Sequence, residues 1–195
     1  MAPPRKHETD VILDTARTLV LTQGPRAAGV AAIAKASGAP TGTLYHRFGS
    51  RNGILAATWL RALERFQSRA LAAAADTPVE TAVAMAVTMV GFARELPEDA
   101  RLLLTIRPSD LFDGEPDPTF SDTLAAMNRP LLARLDEFAR QLYGKATART
   151  VEAVARAVVD LPYGVVRRHA YDDTLPRWLG PDVAGAARAL LTAYQ

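Results

Sequence analysis

Val30-Ala-Ala-Ile-Ala-Lys-Ala-Ser-Gly38-Ala-Pro-Thr-Gly-Thr-Leu-Tyr-His-Arg-Phe48 reads as two short helices joined by a tight turn. Val30, Ile33 and Ala34 fall on one face of a helix over about residues 30–37, at the spacing of an amphipathic helix. Gly38 sits where the chain must turn. Pro40 suits the first position of the next helix, where its missing N–H would have no partner anyway. In that helix Leu44 and Phe48 face inward, so Thr41, Thr43, Tyr45 and His46 lie near the other faces. Gly49 ends it, and Ser50 caps a long fourth helix from Arg51 into the seventies. Such a pair is a helix-turn-helix: the second helix enters the major groove and the first crosses the backbone. The outward hydroxyl, phenol and imidazole groups suit phosphates and base edges.

Upstream, Ile12, Ala16, Leu19 and Val20 predict an amphipathic helix from Asp10 to Gln23, with Thr9 as its cap and Gly24-Pro25 as its stop. Residues 1–65 hold nine Lys and Arg against four acids, and the remainder holds 14 against 17. A basic front on an acidic body fits a polyanion at the amino-terminal end. Arg5 and Lys6 precede the first helix, either as an arm reaching phosphates or a minor groove or as a solvated tail.

Ile33-Ala-Lys-Ala-Ser-Gly38, then Gly42-Thr-Leu-Tyr-His-Arg-Phe48, then Ser50-Arg51, resembles the DNA-binding domain of the TetR family of repressors over roughly residues 9–65. The resemblance implies that Tyr45 and His46 grip phosphates, that Thr41 and Thr43 face the groove, and that Gly42 allows a close approach to the DNA backbone. Arg51 stands where the family usually has lysine and would also meet a phosphate. Gly29 stands at a common capping threonine, Pro40-Thr41 at a common Ser-Lys pair, and Asn52 at a common acid. Losing that lysine removes one charge from the recognition helix. The family further implies a homodimer on palindromic double-stranded operator DNA, released by a small molecule.

The fold expected is all-α, with about nine helices. A three-helix domain over residues 1–55 is joined by the fourth helix to a helical regulatory and dimerisation domain over residues 56–195. Helices are expected over 79–95, 98–106, 119–143, 147–166 and 181–194, with a loop over 107–118. Pro162-Tyr-Gly164 interrupts the 147–166 helix. Dimerisation is expected through 147–166 and 181–194, using Val151, Val154, Ala155, Val158 and Leu161, then Val183, Ala187, Leu190, Leu191 and Tyr194. Met85, Met89, Phe92, Phe120, Met127, Tyr163, Val166 and His169 are the candidates to line a cavity for an apolar or amphipathic effector; as readily, such Met and aromatic stripes are core. Arg107, Arg167 and Arg168 are surface charges or cations for an acidic ligand.

Other classes find little support. The sequence has no cysteine and three widely spaced histidines, so neither disulfides nor a protein metal site is expected. Asp110, Asp113, Glu115 and Asp117 lack EF-hand order. No phosphate-binding glycine loop or zinc-protease motif occurs, and no catalytic residue or cofactor is expected. The longest uncharged run, Thr81–Ala93, is too short to span a bilayer. With no signal peptide behind Met1, a soluble cytoplasmic protein is expected. The alternatives are a small all-α enzyme and a helical interaction module that never touches DNA.

Overall fold

Alanine, leucine and well-placed caps make helix the only regular structure among the described residues, 5–114 and 118–194, of the computed structural model. The helices are α1 (Arg5–Gln23), α2 (Val30–Ser37), α3 (Thr41–Phe48), α4 (Arg51–Leu71), α5 (Pro78–Glu95), α6 (Pro97–Thr105), α7 (Pro108–Leu111), α8 (Pro118–Tyr143), α9 (Ala148–Ala155), α10 (Leu161–Arg167) and α11 (Leu179–Thr192). α9 and α10 run on through one π-helical turn, Arg156–Asp160, as a single rod. Ser50, Thr77 and Thr147 cap α4, α5 and α9, each side chain accepting from a backbone N–H three residues on at 3.1–3.2 Å. α5, α6 and α7 begin with proline, which has no N–H to leave unpaired in the first turn.

Local readings need correction in four places. α1 starts at Arg5, so Thr9 lies inside the helix and accepts from Arg47 Nη1 at 3.0 Å instead of capping. Pro40 is the residue before α3, its carbonyl accepting from the N–H groups of Thr43 and Leu44. The 107–118 segment is not all loop: it holds α7, whose Leu111 is buried. Pro162 does not break the 147–166 helix, because the π turn before it absorbs the change of hydrogen-bond register that its missing N–H imposes. The Arg5 and Lys6 side chains, and Glu115 and Asp117, lie outside what the structure describes.

Two apolar cores form. The first lies under α1–α4, where Ile12, Ala16, Ile33, Leu44, Ile54 and Leu55 are buried, and it continues into Leu102 of α6, Leu111 of α7 and Phe120 of α8. The second joins α5, α8, the α9–α10 rod and α11 through Phe92, Phe138, Val154, Leu179 and Leu191. α4 belongs to both, with Trp59 and Ala62 in one and Ala70 in the other. The 55/56 boundary therefore falls inside a continuous helix. Val154, Val158, Val183, Ala187 and Leu191, expected on a dimer face, are buried in the second core of their own subunit. The exposed residues of α11 include Asp182, Gly185, Ala186, Arg188, Ala189, Leu190 and Thr192, with Ala193 just beyond it.

Candidate nucleic-acid interface and body cavity

α3 is held on its inner side and open on its outer side. Leu44 is fully buried, while Thr41, Gly42, Tyr45 and His46 are exposed and Thr43 is half-buried. A Cβ built on Gly42 would meet nothing within 4 Å, so this residue faces open space. Gly38, at φ +72°, makes the α2–α3 turn in the left-handed region that favours glycine. Gly53 fixes the other end: a Cβ there would lie 1.9 Å from the Phe48 carbonyl oxygen. Only a glycine lets the first turn of α4 pass this close to the last turn of α3. Arg47, bonded to Thr9, ties α3 to α1. Arg26 and Lys35 are exposed cations on the same unit.

Arg51 departs from the phosphate-facing position expected of it. Its side chain is only 15% exposed. Nη1 donates to the Leu111 carbonyl at 3.2 Å and pairs with Asp113 at 2.9 Å, and Nη2 donates to the Pro25 carbonyl. The planar fork suits several fixed acceptors at once, and it bolts the start of α4 to the 25–27 turn and to α7. A larger charge network lies below. Arg17 of α1 pairs with Asp99 and, at 2.6 Å, with Glu98 in the first turn of α6. Arg65 of α4 reaches Asp99 at 2.8 Å, and Arg61 bonds Asp10 at 2.9 Å and Asp14 at 2.5 Å. Burial works to lower the Arg17 pKa, but the Asp99 and Glu98 carboxylates outweigh it and hold the guanidinium above its usual value.

In the body, a cavity of about 220 Å³ opens between α4, α5, α8 and the α9–α10 rod. Trp59, Leu63, Phe66, Gln67 and Ala70 of α4 form one wall, facing Met85 and Met89 of α5, Asn128 and Leu131 of α8, and Val158, Pro162 and Tyr163. Gln67 Nε2 donates to Asn128 Oδ1 at 2.8 Å across it.

Residues 12–58 match the profile of the bacterial regulatory proteins, tetR family. This match takes in α2, α3 and the parts of α1 and α4 that pack on them. A search of curated proteins gave no match. Among solved structures, the chain is similar to a TetR-like transcriptional regulator from Rhodococcus sp. RHA1 at 17% identity and TM-score 0.71, covering 98% of this chain and 97% of that one. It is also similar to the fatty acid degradation regulator FadR of Bacillus halodurans at 18% identity and TM-score 0.67, with coverage of 95% and 99%. FadR of Bacillus subtilis, solved in complex with stearoyl-CoA, matches at 16% identity and TM-score 0.64, with coverage of 95% and 98%. The TetR-like fold thus extends over the whole chain.

Within this amino-terminal module, Thr41, Gly42, Thr43, Tyr45 and His46 come together on one helix, and Arg51 does not join them. In the body the eight cavity candidates scatter. Met85, Met89 and Tyr163 line the cavity. Phe92 packs behind it against Phe66, ring centroids 5.5 Å apart. Phe120 belongs to the first core, edge-on to Trp59 and Phe112 at 6.3 and 5.0 Å. Met127 lies in a groove beside Leu13 and Leu60. Val166 and His169 line a separate pocket of about 210 Å³ with Arg94 and Arg101. Helical spacing finds apolar faces but does not say which face meets a void. Gln67 and Asn128 were missed because a lone amide on a helix carries no signal in sequence. Among the described residues no His, Asp or Glu group could hold a metal ion, and no helix is long and apolar enough to cross a membrane.

Proposed function

We propose that this chain is a ligand-responsive transcription regulator, a repressor that binds palindromic operator DNA as a homodimer and releases it when a small molecule enters the body. The observation that carries the reading is the outer face of α3. It exposes Thr41, Gly42, Tyr45 and His46, with Thr43 half-buried among them, on a helix locked from behind by Leu44. Tyr45 and His46 grip phosphates, Thr41 and Thr43 face base edges, and Gly42 permits close approach. The similarity of residues 12–58 to bacterial regulatory proteins supports this.

A second copy of the chain packs on the α9–α10 rod and α11. The outward small residues Gly185, Ala186, Ala189 and Ala193, around the exposed Leu190, would let two α11 helices approach closely. The two recognition helices of such a dimer must stand about 34–36 Å apart, or a multiple of that, to read a palindrome. The effector is apolar or amphipathic and occupies the cavity walled by α4. FadR crystallised with stearoyl-CoA offers a precedent for a bound ligand in this fold. An electrophoretic shift with the DNA flanking the chain's own gene, combined with sedimentation, tests the reading. Two chains per shifted duplex are expected, and Leu190→Glu should give monomers with weakened binding. Absence of a shift with that DNA and with random duplex alike would overturn it in favour of a helical interaction module or enzyme.

A further inference from the structure

The cavity is walled without a single ionised side chain. Among the residues lining it there is no Asp, Glu, Lys, Arg or His. Arg107, Arg167 and Arg168, the cations that could have met an acidic ligand, are exposed and line no part of it. Two of its four polar side chains are already engaged: Trp59 Nε1–H donates to the Ile106 carbonyl at 3.3 Å, and Tyr163 O–H to the Leu104 carbonyl at 3.2 Å.

The other two are the amides. Gln67, about 95% buried, gives one N–H to Asn128 Oδ1. A primary amide offers two donors and two lone pairs. The Gln67 carbonyl oxygen and the Asn128 NH₂ group have no partner among the described residues. Gln67 is buried and Asn128 half-buried, and amide groups left with open positions on a cavity wall favour a visitor that can complete them. A carboxylate or phosphate brought to the same place would lose its hydration and find no counter-ion.

We propose that this cavity takes an uncharged ligand, an apolar chain or ring carrying one hydrogen-bonding oxygen, and that Gln67 and Asn128 recognise that oxygen. The inference rests on the effector reading above and narrows it: free fatty acids and their coenzyme A thioesters are disfavoured here. The ligand oxygen accepts from Asn128 Nδ2, and a hydroxyl would donate to Gln67 Oε1 as well. Because Gln67 belongs to α4, the contact bears on the helix that starts beside α3.

Two ten-carbon probes test it in the full chain: methyl octyl ketone and decanoate, titrated at neutral pH. Calorimetry is the readout, together with Trp59 fluorescence in a Trp178→Phe background, these being the two tryptophans. The ketone should bind at least about tenfold tighter than decanoate. The Gln67→Met, Asn128→Leu double variant should lose roughly tenfold for the ketone, the scale of a hydrogen bond, and change little for decanoate. The wild-type ratio decides the matter even if the variant folds poorly. Equal or tighter decanoate binding overturns the proposal, as does failure of both probes to bind. If decanoate binds tighter and also releases DNA, the effector reading stands and the uncharged class falls. If the ketone binds through the amides and DNA affinity stays constant, the ligand class stands and the effector reading falls.

Discussion

Gly42 and Gly53 flank the α3–α4 corner and are constrained from opposite directions. A methyl group at Gly53 would collide with the Phe48 carbonyl at 1.9 Å, whereas one at Gly42 would meet nothing within 4 Å. Gly53→Ala should therefore push α4 from α3 and cost about 1–3 kcal/mol, the usual scale of overpacking. Gly42→Ala should preserve stability or raise it by up to about 1 kcal/mol through helix propensity, yet weaken duplex binding, because its methyl would stand between α3 and the DNA. Urea unfolding and duplex titration of the two variants check this; equal stability losses would contradict it. The helix that carries Gly42 was legible in the sequence because the motif around it is specific. That of Gly53 was not, since a close approach between consecutive helices leaves no mark on composition. The partners of Arg51 were not legible for a related reason: its acceptors at Pro25, Leu111 and Asp113 are distant in sequence, and a lone arginine at a helix start looks free.

At the scale of elements, the charges of α1, α4 and α6 hold the reading unit to the body. Asp99 is 1% exposed and accepts from both Arg17 and Arg65, while Glu98 is 44% exposed on the same turn. Removing one member of a buried pair strands the others, so Asp99→Ala should lower the unfolding free energy by about 3–5 kcal/mol. Glu98→Ala should cost under about 1 kcal/mol, because Glu98 is itself reached by water and Arg17 keeps its pair with Asp99. Comparable losses in chemical denaturation would show that the network is not organised around Asp99. The start of α4 at Ser50 was legible from its cap, whereas Thr9, Pro40 and Pro162 each suggested a limit that the helices do not follow. α7 was hidden among prolines and acids. The π turn at Arg156–Asp160 has no signature in residue spacing.

The whole molecule is two apolar cores threaded by α4. The all-helical architecture was legible because the apolar period of 3.6 recurs along almost the entire chain. The partition of those apolar faces between core, cavity and second subunit was not, since Val154, Val158 and Leu191 look the same in sequence whether they pack inward or outward. The central claim is that the outer face of α3 reads duplex DNA, and it is tested most directly by fluorescence anisotropy of a labelled duplex carrying the flanking DNA, titrated at several salt concentrations with the wild-type chain and with a Thr43→Ala, Tyr45→Ala double variant. The account predicts wild-type affinity that falls steeply with salt. The double variant should bind at least about tenfold more weakly at every salt concentration, from the loss of a base-edge contact of roughly 1–3 kcal/mol, with an unchanged unfolding midpoint. Equal affinities for the two proteins across the salt series would contradict it.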